Sequence, residues 1–322
     1  MRALIVAVVT AACAALRPPS APTVVRVASE PTGPWAEAKR ASVDEINAAR
    51  VGAGLSPLAH DAVLERAGDA FCRALVAQRG SGHVARDGAP PYLRVLLAGG
   101  DGYHRQNVGT YDSTATVGTD EVPAIAVQLV RDMLAEVPPD DGHRATILDP
   151  TATHLGVGVA AEGGRVRISH EVACRGAAAW AAPPEVAPPR QLMRLAGRLA
   201  APWRPAAVEV LWEPLPAERA DTAPPVRVYG YPTPRYVSFV RVSNGSQQPS
   251  PIPEDLVVGP DDAFQFTWRT GPEPGVEVIV VWARRRASEV KLTPVAAAAV
   301  VVTPDAALPP NLRAWADLRL IR

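Results

Sequence analysis

The sequence has no excess of charge of either sign and almost no lysine. Its 322 residues contain 33 Lys plus Arg and 33 Asp plus Glu, and Lys39 and Lys291 are the only lysines. Neither half of the chain carries the basic surplus that binding to nucleic acid or to an anionic membrane surface requires. The charge balance therefore excludes nucleic acid as the expected partner.

Long apolar runs are also missing. A spanning helix needs about 20 apolar residues, and the run from Ala3 to Val9 is much shorter. It follows Arg2 and leads through small residues to Ala15, which is the pattern of a secretory signal peptide. We expect a signal peptide over residues 1–16 and a flexible spacer over 17–35. The product would be secreted or periplasmic, with no transmembrane segment after signal removal.

Cysteine is scarce, with three residues in the whole chain. Cys13 stands where a lipoprotein cysteine would, but Thr10 fits the preceding position poorly, so a lipid anchor is the less favoured alternative. Signal removal leaves Cys72 and Cys174, an even pair in an oxidising compartment. A disulfide between them and two buried free thiols are both open alternatives.

Hydrophobic residues make up 48% of the chain and charged residues 20%, which is typical of a folded protein. Ser42 and Glu45 form a capping-box pattern that predicts a helix from Ser42 to about Arg50. Apolar residues at helical spacing predict further helices over 63–79 and from about 120 to 137. Alternation over 154–161 and 165–174 predicts a hairpin. We expect a layered α/β domain over residues 36–175.

Beyond this region the periodicity changes. Residues 176–200 are rich in Ala and Pro and are interpreted as a linker. Short alternating runs then predict an all-β sandwich over 201–322, of immunoglobulin-like or fibronectin-like type; the runs are 208–212, 226–228, 236–242, 264–268, 276–282 and 297–302. All six histidines precede it, so a histidine-based site belongs to the first domain and the second domain is expected to bind or to act as a spacer.

Several motifs of the first domain occur in one fixed order. They are 47–50 with 54–58, Gly82-His83, Gln106-Asn107-Val108, the Gly-His-Arg turn at 142–148, and the glycine-rich strand 155–159. Residues 40–175 thereby resemble the bacterial branch of the CAP superfamily (SCP domain), which includes cysteine-rich secretory proteins, antigen 5 and pathogenesis-related 1. The resemblance implies an α-β-α sandwich with a small antiparallel sheet and a cleft.

In that family the cleft holds two histidines and two acidic residues. The matching positions here are His83, Gln106, Glu136 and His143. Gln106 replaces an acidic residue and cannot carry charge or a proton. Two further motif residues are assigned structural roles: Asn107, whose amide is expected to tie the sheet to a neighbouring loop, and Arg144 in the Gly-His-Arg turn.

Two neutral imidazoles that converge in a cleft suit a divalent ion, with zinc as the candidate cofactor. His83 and His143 would be the metal ligands, and Glu136 and water would complete the shell. A cleft that the two histidines line without metal is an equal alternative. The other histidines are expected at the surface or at strand ends; these are His60, His104, His154 and His170.

Three functions remain open on this basis. The leading one is a secreted protein whose histidine-lined cleft binds a small apolar or envelope-derived ligand, without turnover and with no catalytic residue assigned. The second is a zinc-assisted hydrolase or peptidase with Glu136 as general base. The third is a structural envelope or adhesion protein with a relict cleft.

Overall fold

The computed structural model describes residues 30–220, 222–239, 256–259, 261–285 and 289–320. The expected signal peptide, Cys13 and most of the expected spacer lie outside these ranges. In the described part of the chain, no helix combines the length and the apolar character that crossing a membrane requires.

The first part of the chain is an α-β-α sandwich, as expected. Its sheet has the order β1-β3-β4-β2, with β2 and β3 both antiparallel to β4. One face packs on α2, and the opposite face shares a core with α1 and α4. The elements are α1 (Ala36–Gly52), β1 (Ala59–His60), α2 (Ala62–Ala77), α3 (Pro91–Leu97), β2 (Tyr103–Asp112), α4 (Val122–Leu134), α5 (Gly142–Ile147), β3 (His154–Glu162) and β4 (Arg165–Cys174).

Glycines in β3 allow α2 to lie directly on the sheet. A Cβ atom at Gly156 would stand 2.2 Å from the backbone nitrogen of Glu65, and one at Gly158 would stand 2.0 Å from the carbonyl carbon of Gly68. Real side chains cannot approach a backbone this closely. The glycine-rich strand identified in the sequence therefore sets the distance between α2 and the sheet.

The start of α1 differs from the prediction. The helix begins at Ala36, six residues before Ser42, and the Ser42 hydroxyl donates a hydrogen bond to the carbonyl of Ala38 within the helix. Lys39 explains the earlier start, because its buried ammonium lies 3.2 Å from Glu65 and 2.6 Å from Asp69 of α2. This ion-pair cluster fixes the first turns of α1, so the capping-box interpretation was wrong.

The second part of the chain is a β-sandwich of two sheets, of order β10-β11-β7-β5 and β6-β13-β12-β8-β9, around one hydrophobic cluster. The immunoglobulin-like label stays a prediction. The elements are β5 (Ala177–Ala181), β6 (Val186–Ala187), β7 (Leu192–Leu199), β8 (Arg204–Glu213), β9 (Thr233–Phe239), β10 (Leu256–Val258), β11 (Ala263–Arg269), β12 (Gly275–Arg284), β13 (Thr293–Val302) and α6 (Pro310–Asp317).

Residues 176–200 are not the linker that their composition suggested. They form β5, β6 and β7, and in β7 the side chains of Met193, Leu195 and Leu199 are buried while Arg194 and Arg198 are exposed. This alternation is that of a half-buried strand. Residues 226–228, by contrast, are not a strand, and α6 was not foreseen.

The two parts are joined by a continuous hydrophobic core. Tyr92 and Leu93 of α3 belong to the same buried cluster as Val278 of β12 and as Leu312 and Trp315 of α6. Such a shared core couples the two parts mechanically. It also brings the segment between β8 and β9 against the first part of the chain, next to the two cleft histidines.

Candidate functional site

The cleft lies along β2, the last strand of the sheet. His83 enters it from the loop between α2 and α3, and His143 enters from the first turn of α5. Their ring centroids are 6.5 Å apart and the ring planes are tilted by 31°. The cleft has a volume of about 540 Å³ and also contains Gln106 and Glu136. All four residues that the resemblance assigned thus line one cavity.

The carboxylate of Glu136 contacts both the ring and the backbone of His143. One carboxylate oxygen lies 2.5 Å from Nδ1 of the His143 ring, and the other accepts a hydrogen bond of 2.9 Å from the His143 backbone nitrogen. The side-chain amide of Asn107 donates to the His143 carbonyl at 2.9 Å, which ties β2 to α5. Arg144 is exposed. Since Nδ1 is occupied, Nε2 is the His143 nitrogen that remains for a ligand.

His83 is held by a chain of polar groups that leads into the sheet. Its Nδ1 lies 3.0 Å from Oε1 of Gln106, and Nε2 of Gln106 donates to Oε1 of Glu171 at 2.8 Å. Glu171 faces Gln106 directly across the β2–β4 pair. The second oxygen of Glu171 lies 2.7 Å from Nε2 of His104. Sequence analysis did not identify Glu171. Its side chain is buried and connects Gln106 to His104 in this series of polar groups.

The charge on Glu171 determines which atoms donate in the hydrogen bonds from Glu171 through Gln106 to His83. Burial raises the pKa of the Glu171 carboxyl, but the hydrogen bond and charge of His104, with the charge of Arg94, outweigh it and lower the pKa overall. The carboxylate only accepts, so the Gln106 amide must donate to it. The Gln106 oxygen then faces His83, whose Nδ1 must carry the proton.

Neutral His83 consequently offers Nε2 as a hydrogen-bond acceptor. Burial lowers the pKa of its imidazole; the Gln106 hydrogen bond opposes this, while the charges of His143 and Arg94 add to it. A pKa below the usual 6.5 keeps His83 uncharged at neutral pH. The site therefore presents lone pairs rather than positive charge at this ring.

Arg94 supports His83 from within the core. Arg94 is 1% exposed, and its guanidinium lies 3.8 Å above the ring of Phe71 and donates hydrogen bonds to the carbonyls of His83 and Ala89. Nη2 of Arg94 has no hydrogen-bond partner among the described residues. The loop that carries His83 is thus fixed through its backbone as well as through its ring.

Two other histidines are more buried than expected. His104 and His170 are fully buried in β2 and β4, because α2 covers one face of the sheet and α1 with α4 covers the other. Surface or strand-end positions were predicted for both. His104 is near the start of β2 but is buried, and the prediction was wrong for His170, which lies inside β4. His60 lies 2.7 Å from Glu65, and the ring of His154 lies 2.8 Å from the Thr153 hydroxyl.

A zinc centre with three or four protein ligands does not fit these residues. In the described ranges, no three His, Cys, Asp or Glu side chains are grouped to hold a metal ion. Both Glu136 oxygens are bonded to His143, so the carboxylate expected to complete the shell serves that residue instead. Of the four residues that the resemblance assigned to the cleft, the two imidazoles are the ones that remain as donors for an ion.

The cysteines favour the second of the two open alternatives. Cys72 and Cys174 are both buried free thiols that belong to different hydrophobic clusters. Cys72 contacts Ser169, which lies five residues before Cys174 on β4. At about 3.3 Å per strand residue, the two sulfurs are too far apart to be bridged.

Comparison with known proteins agrees with the motifs. Residues 43–174 match the CAP family, described as the cysteine-rich secretory protein family. No curated protein matches the chain. One similar solved structure is an outer surface protein from Borrelia burgdorferi, with 16% identity, a TM-score of 0.32, and coverage of 41% of this chain and 87% of that one.

A second similar structure is an extracellular protein containing a SCP domain from Bacillus anthracis str. Ames. It shares 19% identity with this chain at a TM-score of 0.32, and the match covers 44% of each chain. The present chain thus spans less than half of the length of that protein. The family match over residues 43–174 coincides with the motifs found in the sequence, so this part of the chain is similar to the CAP family.

Proposed function

We propose that this chain is an exported binding protein whose cleft, between His83 and His143, takes a polar ligand derived from the cell envelope. One observation carries the proposal. Nδ1 of each ring is bonded to the protein, to Gln106 in one case and to Glu136 in the other, which leaves both Nε2 atoms for a ligand. Export is proposed from the N-terminal sequence pattern.

The lining favours a polar ligand over a small apolar one. Among the described residues that line the cleft, Val228 is the only branched aliphatic side chain, and it is 86% exposed. Sites for apolar ligands are lined mainly by buried hydrophobic side chains. Of the two ligand kinds considered from the sequence, the envelope-derived one is therefore better supported.

A hydrolase has less support. A general base must be free to take a proton from water, and both oxygens of Glu136 already accept hydrogen bonds from His143. No described grouping of three metal-ligating side chains accompanies them. We propose binding without turnover.

The experiment that tests this proposal measures the ¹⁵N signals of the two imidazole rings. Protein labelled with ¹⁵N-histidine is titrated with a soluble digest of bacterial cell wall, and the Nε2 signals of His83 and His143 are expected to shift. The double variant His83→Ala with His143→Ala should lose affinity by about tenfold or more, a loss of about 1.4 kcal/mol. His154→Ala, outside the cleft, is the control. Unchanged affinity in the double variant would overturn the proposal and favour a structural role.

A further inference from the structure

The loop that carries His83 is shaped to receive the second part of the chain. Gly82 and Gly88 both have positive φ angles, of 82° and 76°. A Cβ atom at Gly82 would lie 2.5 Å from the carbonyl oxygen of Val226, and one at Gly88 would lie 2.1 Å from that of Ala217. Each glycine thus meets a backbone oxygen from the segment between β8 and β9.

Hydrogen bonds hold the same loop at several points. The His83 backbone nitrogen donates to the carbonyl of Val226 at 2.8 Å. From α6, the indole nitrogen of Trp315 donates to the carboxylate of Asp87, and the Asn311 amide donates to the Asp87 carbonyl. The position of His83 therefore depends on residues far along the chain.

The same segment forms one wall of the cleft. The Tyr229 hydroxyl accepts a hydrogen bond of 2.6 Å from the Gln106 backbone nitrogen, and the Tyr231 hydroxyl accepts one of 2.9 Å from that of His104. These contacts pair two backbone amides on the outer edge of β2, which no other strand pairs in the described sheet. The Tyr229 ring lies 4.8 Å from the ring of His83, centroid to centroid.

We propose that the binding site is composite, that Tyr229 contacts the ligand, and that the ligand is an uncharged saccharide. This inference rests on the proposed function and names the ligand class of the same cleft. It also assigns the β-sandwich a role other than spacing, since its connecting segment supplies a wall of the site.

The balance of polar groups carries the choice of a saccharide. Tyr229 accepts from Gln106, so its own hydroxyl proton remains to be donated, while Nε2 of His83 accepts and Nε2 of His143 is left for a ligand. Sugar hydroxyls both donate and accept, and the C–H faces of a sugar ring pack on aromatic rings such as that of Tyr229. One ligand can thus satisfy all three protein groups.

The charges of the cleft support an uncharged ligand. Glu136 is bonded to His143, and Arg105 lies 3.0 Å from Asp149. Apart from Arg105, the exposed charged residues of the lining are one of each sign, Asp140 and Arg227. The described residues therefore give the cleft no surplus charge that would select a cationic or an anionic group.

The experiment uses the whole chain and the trisaccharide of N-acetylglucosamine in a calorimetric titration. The wild type is expected to bind it, and Tyr229→Phe should weaken the affinity about tenfold. Tyr231→Phe is the matched control, because it also removes an acceptor from the β2 edge while its ring is enclosed between Tyr92 and Tyr103. Because Tyr231 also lines the cleft, this variant is expected to lose some affinity, but less than Tyr229→Phe does.

The outcomes separate this inference from the proposed function. If a cell-wall digest shifts the His83 and His143 signals but the trisaccharide does not bind, the saccharide assignment is overturned and the binding function stands. An equal loss in Tyr229→Phe and Tyr231→Phe would show an effect of the β2 edge and would overturn the contact role of Tyr229. If the digest shifts neither histidine, both proposals fail.

Discussion

Nε2 of Gln106 lies 2.8 Å from Oε1 of Glu171, directly across the β2–β4 pair. The family has an acidic residue at the position of Gln106. Two carboxylates at this separation could not both ionise. Gln106 therefore allows Glu171 to keep its charge. Because the Gln106 amide donates to this carboxylate, its oxygen faces His83 and fixes the proton of that ring on Nδ1.

Removal of the Glu171 charge should release the tautomer of His83. In Glu171→Gln, either orientation of the Gln106 amide finds a partner, so we expect the His83 ring to show a mixture of Nδ1–H and Nε2–H forms. Buried His104 would then bond a neutral amide instead of a carboxylate, which should cost about 1 kcal/mol of stability. Long-range ¹H–¹⁵N spectra above pH 7 measure the tautomer. Glu136→Gln is the control and should change the His143 signals only; an unchanged His83 spectrum in Glu171→Gln would contradict the relay.

The sequence could predict the cleft because its main residues lie in or near short motifs that are recognisable one by one. His83, Glu136 and His143 were located from motif order and spacing, and the structure places all three around one cavity. Glu171 was missed for a physical reason. The alternation of β4 suggested one solvated face, whereas α2 covers that face and nearly every residue of the strand is buried. A carboxylate on a strand beside glycine-rich β3 was the available signal.

No local sequence pattern could predict that Tyr229 forms a wall of the cleft. Tyr229 and Gln106 are 123 positions apart, and residues 226–231 have no regular secondary structure. Composition also misled in residues 176–200, where Ala and Pro suggested a linker although the buried side chains of Met193 and Leu195 already alternate as in a strand. Periodicity was the better guide there, because packing decides strand formation more than composition does.

Gly88→Ala should separate the cost of packing from the cost of backbone strain. The new Cβ would meet the Ala217 carbonyl at 2.1 Å in addition to the strain of a positive φ. Gly163→Ala is the matched control, with φ of 59° and no atom within 4 Å. We expect a loss of about 1–2 kcal/mol for the control and about 1–3 kcal/mol more for Gly88→Ala, by urea unfolding. Equal losses of unfolding free energy in the two variants would mean that the segment around Ala217 moves away from the new Cβ atom at no cost.

The two thiols should stay reduced and unreactive in the folded chain. Burial raises the pKa of Cys72 and that of Cys174 to about 12, so neither supplies thiolate at neutral pH. Alkylation without reductant should label both residues in denaturant and neither in native buffer, as peptide mass spectrometry can show. A Cys72–Cys174 linked peptide would contradict the structure and restore the disulfide alternative.

His170 should make the fold sensitive to acid. Its ring is fully buried and neither nitrogen has a hydrogen-bond partner among the described residues. Burial lowers its pKa from 6.5 to about 4; the charge of Glu171 opposes this and that of His143 adds to it. The unfolded chain binds the proton first, so the stabilising contribution is complete above pH 6.5 and is lost as the pH falls toward 4.

The corresponding prediction compares two proteins at two pH values. The wild type should lose about 2 kcal/mol of unfolding free energy between about pH 8 and about pH 5 through this group alone. His170→Leu has a similar volume and no proton to bind, so it should lose correspondingly less and should be at least as stable at the higher pH, since an unpaired polar group leaves the core. Urea unfolding at both pH values measures the difference. A parallel decline in both proteins would show that His170 is not the group responsible.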